Sequence, residues 1–358
     1  LITPSNPNQR AQARWLDKLL PSLGILLVAG GFTLLAWFAW LWFTPGSAPY
    51  RYQLIETHPA GKYPALELEA WPDLNISQYT LQIPDIDQPV AQAYFGQHDQ
   101  LGPVLLDWQN QTSEPLLHLE RKPAELSALA DAINKYTTAD AQILAWWDTS
   151  RQLALLTGRP VLFRAPLHEP LIIPDEWQIH ASAIRAYESE QAQTPVTDLE
   201  RDHFKRFTQA LASPLASGLD QLRQLADNER ETYLVVHVAD LYKLGLLYPE
   251  QFGVAYKNYR MTGNIHGMIS HLKTEMGTRG YSTYTLQSLS EELIRAFFLT
   301  DEASHQALLA QLLPFTDHPP PVELDNPQLI YQQGGYWVYK LSLAGASEAA
   351  PTPSASGQ

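Results

Sequence analysis

Residues 19–43 read LLPSLGILLVAGGFTLLAWFAWLWF and contain no charged side chain. Roughly 20 apolar residues cross a hydrocarbon core of about 30 Å, so this run is long enough to span a bilayer with some tilt. A helix buried in a soluble core is ordinarily shorter and keeps a polar face, which this run lacks. The expectation is a single transmembrane helix, and the remainder of the chain divides around it.

The short flank carries Arg10, Arg14 and Lys18 against Asp17, while the far side opens with Thr44, Pro45, Gly46 and Ser47. Basic residues remain on the cytoplasmic side, so the amino terminus is expected there. Trp37, Trp40 and Trp42, with Phe43, cluster at the far end, where amphipathic rings favour the headgroup layer. The apolar region of a cleaved signal peptide runs about 7 to 15 residues before a small-residue cleavage site, and this stretch is longer. An uncleaved signal anchor is therefore expected. It divides the chain into a cytoplasmic stretch (1–18), the membrane helix (19–43), a body, and a tail of Ala, Pro, Ser and Gly (344–358) expected to be disordered.

About 300 residues follow the anchor, enough to bury a sizeable core. Hydrophobic residues make up 45% of the chain and charged residues 17%, which suits a folded body. The formal net charge is −14, and the basic residues outside the cytoplasmic flank form no cluster. A duplex binder needs a basic surface to neutralise phosphates, so no nucleic-acid partner is expected. There is no cysteine, which excludes disulfides, thiol catalysis and covalent haem attachment through Cys-x-x-Cys-His within this chain. The Asn-x-Ser/Thr matches at Asn75 and Asn110 matter only in a eukaryotic lumen, and with no disulfides a bacterial periplasm is the expected setting.

Along the body, alternation predicts strands at 50–56, 65–71, 79–83 and 104–108, which makes residues 50–120 a β-rich part. From Pro123 the apolar residues Leu126, Leu129, Ala130 and Ile133 fall at helical spacing, predicting a helix to Tyr136. Residues 141–147 then read as a buried strand, with Asp148, Thr149 and Ser150 capping a helix that closes at Gly158. Short strands are expected at 161–163 and 171–173, a polar boundary at 188–197, and two helices divided near Pro214. Thr232 to Val238 is apolar and β-branched on both faces and predicts a central strand. A helix at 265–276, a strand at 281–286, a helix at 302–313 capped by Thr300, and a closing hairpin around Gly334 and Gly335 complete residues 121–343. The fold class expected is α/β or α+β, with a mixed sheet, on one amino-terminal membrane helix.

The chemistry-bearing residues are sparse. His266 and His271 are five apart and point about 140° from each other around a helix, unlike the i, i+4 pair of His-Glu-x-x-His, and with His237 and Asp240 they do not predict a metal site. No Gly-x-Ser-x-Gly elbow, Walker loop or dinucleotide fingerprint is present. No cofactor is expected. Asp240 and Lys243 lie just past the candidate central strand, beside His237, where α/β sheets often bind ligands; a structural ion pair there is the plainer reading. Trp146, Trp147 and Asp148 resemble the start of the Trp-Trp-Asp-Tyr-Gly motif of oligosaccharyltransferase catalytic subunits, with Thr149 and Ser150 in place of the Tyr and Gly. These six residues are the candidate pocket. They motivate the alternative reading of a periplasmic sugar- or lipid-handling enzyme, although those enzymes have many membrane helices.

A broader resemblance runs through WWDTSRQLALLTGRPVLF (146–163), VVHVADLYKLGLLYPEQF (235–252) and MTGNIHGMISHLKTEM (261–276). In these stretches the chain resembles the hydroxylamine oxidation protein B family, membrane-anchored proteins associated with hydroxylamine oxidoreductase. The resemblance implies a single-pass inner-membrane protein whose body lies in the periplasm beside a multihaem hydroxylamine oxidoreductase. It implies a non-catalytic anchor or assembly factor, and it assigns no catalytic residue.

Overall fold

The fold is built on a strand buried on both faces. In the computed structural model, which describes residues 23–40, 47–97, 99–111, 122–167, 173, 175–261, 265–317, 319–324 and 326–342, Thr232–His237 is buried at all six positions. Its sheet has the order β10-β11-β6-β5, with β5 Gln142–Leu144, β6 Thr232–His237, β10 Gln328–Gln333 and β11 Tyr336–Leu341. β6 runs parallel to β5 and antiparallel to β11. Successive strand residues point to opposite faces, and here each set meets its own core. Leu144, Leu234, Val236, Tyr339 and Leu341 enter one cluster, while Ile143, Tyr233, Val235, Tyr336 and Val338 enter another.

The first cluster is covered by α5 Asp198–Ala212, α6 Leu215–Arg223, α7 Asp240–Leu247 and α10 Leu308–Gln311. Helix α5 starts on a capping box, with the Thr197 side chain accepting from the Glu200 N–H and Glu200 reaching back to Thr197. The second cluster is covered by α2 Pro123–Tyr136 and α3 Trp147–Thr157. It also receives Ile76 and Leu106 from an antiparallel sheet of order β1-β2-β3-β4, formed by β1 Arg51–Pro59, β2 Asn75–Gln82, β3 Ala91–Gly96 and β4 Val104–Asn110. The opposite face of that sheet carries Leu81, Ala91, Ala93 and Trp108 against Ile184 of α4 Ala181–Ala192. A third antiparallel sheet, β7-β9-β8, comprises β7 Val254–Arg260, β8 Thr283–Ser288 and β9 Leu293–Leu299. It gives Phe297 and Leu299 to the first cluster and packs Ala296 and Phe298 with Leu272 of α8 Ile265–Arg279. The class is α+β with mixed sheets, as the sequence implies.

Ahead of the body, α1 spans Leu23–Trp40, with mean hydropathy 1.9 and none of it buried. It is long and apolar enough to cross a membrane, and it includes Trp37 and Trp40. Arg10, Arg14, Lys18 and Trp42, together with the tail expected at 344–358, lie outside the described residues.

Several local expectations are corrected. Residues 65–71 form no strand: a 3-10 turn at Pro64–Leu66 ends on Glu67 at φ 50°, and Leu66 and Leu68 are buried in a connection rather than on a sheet face. β5 stops at Leu144, and α3 starts at Trp147, because Trp146 already occupies the N-cap position and Asp148 falls in the first turn. Val161 makes only an isolated parallel bridge to Ile143, and 171–172 lie outside the described residues. The polar stretch from 188 is no boundary at its start, since α4 continues to Ala192 and buries Glu188. The single helix expected at 302–313 is two short ones, α9 Glu302–His305 and α10, with Asp301 rather than Thr300 as the cap. It breaks because Ala307 bridges Pro214 and the Leu308 N–H donates to the Ser213 carbonyl at 2.7 Å.

Gly102, at φ +63°, sits where a Cβ would fall 2.3 Å from the Ala192 carbonyl oxygen, at the end of α4. Gly158 has nearly the same φ, +66°, with nothing within 4 Å. Gly158→Ala is expected to cost about 1–2 kcal/mol from the left-handed backbone alone. Gly102→Ala adds a backbone collision and is expected to cost measurably more in the same urea titration.

Candidate functional site

Strands β5 and β6 are parallel neighbours, and the helices that follow them, α3 and α7, begin beside one another at the carboxyl ends of the strands. Helix amino termini carry partial positive charge and favour carboxylates in their first turn. Asp148 and Asp240 occupy those first turns. Lys243, one turn along α7, donates to Asp148 Oδ2 at 2.9 Å and to Asp240 Oδ1 at 3.1 Å.

The second Asp240 oxygen accepts the His237 backbone N–H at 2.8 Å, and Asp148 Oδ1 accepts the Thr149 N–H at 2.7 Å. The Lys243 ammonium stands 5.1 Å from the centre of the Trp146 ring, within the range of a cation–π contact. Trp146 is fully buried and meets Phe204 edge-on at 5.4 Å. His237 is buried completely and packs on Tyr336 at 4.4 Å. Its Nδ1 accepts from the Ala239 N–H at 3.1 Å, so that nitrogen carries no proton in the neutral ring. Gly335 passes so close that a Cβ there would lie 2.3 Å from His237 Nε2.

The structure therefore brings four of the six sequence candidates, Trp146, Asp148, Asp240 and Lys243, together by their side chains, while His237 joins them through its backbone N–H and turns its ring to Tyr336. Trp147, like Trp146, belongs to the first core cluster. Chemically, the lysine is held between two carboxylates and an aromatic face, and both carboxylates are further fixed by backbone amides. This arrangement ties α3 to α7 across the strand ends. Among the described residues no group of three or more His, Asp or Glu side chains could hold a metal ion, and His271 is exposed on α8, its ring 5.9 Å from that of Tyr259.

A second polar cluster has no counterpart among the sequence candidates. Glu188 of α4 is only 8% exposed and faces the start of β1. Its Oε1 accepts from the Tyr50 hydroxyl at 2.5 Å and the Tyr52 hydroxyl at 3.0 Å, and the Tyr187 hydroxyl accepts from the Tyr52 N–H at 2.8 Å. Trp177 stacks on Tyr50 at 5.5 Å. Burial pushes the Glu188 carboxyl up to about 7, against the two phenol hydrogen bonds that favour its charged form. Burial and the neighbouring carboxylate likewise raise both tyrosines, which keeps their protons in place. The partners lie more than 130 residues apart in the chain. The only local signal is the spacing of Ile184 and Glu188, one helical turn apart on a face that is otherwise apolar.

A family model described as HaoA-associated protein HaoB matches residues 16–341. Comparison with curated proteins gave no match. Among solved structures, the C. jejuni pglb C-terminal domain overlaps 61% of this chain and 99% of its own, with 10% identity and a TM-score of 0.35, too loose an overlap to bear on fold or function.

Two measurements test these clusters. Lys243→Met leaves two largely buried carboxylates facing each other without their cation and is expected to destabilise the fold by about 3–5 kcal/mol, read by urea unfolding. For Glu188 the folded protein holds the proton more tightly than the unfolded chain, whose ordinary value is 4.5. Its contribution to stability is therefore complete below 4.5 and is lost as pH rises through about 7. Wild type should lose stability relative to Glu188→Gln across that window, and parallel curves for the two proteins would refute the assignment.

Proposed function

Because the chain belongs to the HaoA-associated protein HaoB family, we propose that it is a non-catalytic accessory protein that holds a soluble hydroxylamine oxidoreductase of the multihaem type at a bacterial inner membrane. The observation that carries this reading is the extent of the family match, residues 16–341, which takes in the apolar helix and continues to the last strand of the body. Helix α1 supplies the anchor, with Arg10, Arg14 and Lys18 on the cytoplasmic side and the folded body in the periplasm. A membrane-held partner keeps electron transfer to membrane carriers short. The chain is acidic, with a formal net charge of −14, which favours association with a basic partner.

Two experiments check the reading. Protease added to spheroplasts should digest the body, and a body that survives while a periplasmic control is cut shows the opposite orientation. A mild-detergent pulldown of the tagged chain, followed by mass spectrometry and haem staining, should recover the oxidoreductase. Recovery of an intact complex without any haem protein would sink the accessory role.

A further inference from the structure

The Glu188 cluster has the parts of a proton-coupled electron site. Oxidising a phenol by one electron makes its proton strongly acidic, so the step is easy only where a base already accepts that proton. Tyr50 is fully buried, and its hydroxyl points at Glu188 Oε1, 2.5 Å away, with Tyr52 donating to the same oxygen. Among the described residues no cation pairs with Glu188. The groups facing it are Tyr50, just ahead of β1, and Tyr52 of β1, with Tyr187 beside it on α4, and Arg51 acts on Tyr187.

The rings continue outward from this point. Tyr50 meets Trp177 at 5.5 Å and Tyr187 at 5.7 Å, while Tyr52 meets Tyr187 at 6.0 Å and Trp108 at 6.3 Å. Trp177 and Tyr187 are half-buried and so reach the surface. The chain has no cysteine, and its methionines are Met261, Met268 and Met276, all near or on α8.

We propose that Tyr50 and Tyr52 form a redox-active pair, with Glu188 as the proton acceptor and Trp177 and Tyr187 as the route for the electron. In the step, the Tyr50 O–H bond breaks, its proton passes to Glu188 Oε1, and its electron leaves through the neighbouring rings. The acceptor is a one-electron oxidant of the high-valent metal–oxo class, which is reduced by one electron. The products are a neutral tyrosyl radical and a protonated Glu188, and return of one electron and the same proton restores the pair. The site accepts the proton only while Glu188 is ionised, so radical formation should accelerate as pH rises through neutrality.

The test uses the full chain in detergent, oxidised by flash-generated tris(bipyridine)ruthenium(III) and followed by electron paramagnetic resonance with ring-deuterated tyrosine. The expected result is a fast, pH-dependent phase of tyrosyl formation that is lost in the Tyr50→Phe/Tyr52→Phe double variant and kept in Tyr136→Phe, a change at an exposed ring. Glu188→Gln keeps an accepting oxygen but not the base, and should slow radical formation at least about tenfold, as expected when a positioned base is removed, and abolish its pH dependence. Deuterium oxide should slow the wild type. A fast, pH-dependent phase that persists in the double variant overturns the proposal, and so does a rate in Glu188→Gln equal to wild type. Should the double variant fail to fold, the Glu188→Gln rate and the solvent isotope effect on the wild type decide alone, and absence of both overturns it. None of these readouts depends on the accessory role.

Discussion

Burial of β6 on both faces is the constraint from which the rest of the body follows. A strand covered on one side needs one layer of cover, and this one needs two, because Leu234 and Val236 enter one core while Tyr233 and Val235 enter the other. Each β6 residue is therefore a fixed point between two groups of helices. The register of β11 and β5 on either side repeats the division residue by residue. A shift of one residue would exchange the two cores and put every side chain against the wrong partners. The Lys243 triad sits where that strand ends, and it acts on the same requirement. It fixes the starts of α3 and α7, which begin to cover the sheet as soon as β5 and β6 stop.

How far the sequence discloses this depends on whether the signal is local. Residues 232–238 are apolar without alternation, and no exposed strand is written that way, so β6 was legible as a central strand. The hairpin around Gly334 and Gly335 and helix α2 were legible for the same reason, since turn chemistry and helical spacing lie within a few residues. The stretch 65–71 misled because alternation also arises when a connection buries Leu66 and Leu68 and exposes the residues between them. β3, β7 and β9 left weaker marks: in β9 the run LIRAFFL reads equally as strand or buried helix until its neighbours are known.

The candidate site shows the same limit. Asp240 and Lys243 stand three apart on one helix, and Trp146 to Asp148 are contiguous, so each half was visible on its own. Their meeting across 95 residues comes from the parallel pairing of β5 and β6. The Tyr50–Glu188 contact left only the spacing of Ile184 and Glu188 as a trace. Its members share no motif, and a glutamate at the head of a polar run reads as solvent-facing until the sheet opposite it is placed.

That long separation has a consequence for assembly. β1 through β4 can pair among themselves as soon as they are synthesised, because they are consecutive and antiparallel. The face that carries Tyr50, Tyr52, Leu81 and Trp108 stays open until α4, some 70 residues past β4, arrives to cover it. β5 likewise waits for β6, with α3, α4, α5 and α6 between them. Contacts of such range close late, and the surfaces they cover are exposed while the chain emerges. The open face of the first sheet is thus aromatic, and it is covered only once α4 has been made, whatever the speed at which β1 to β4 pair.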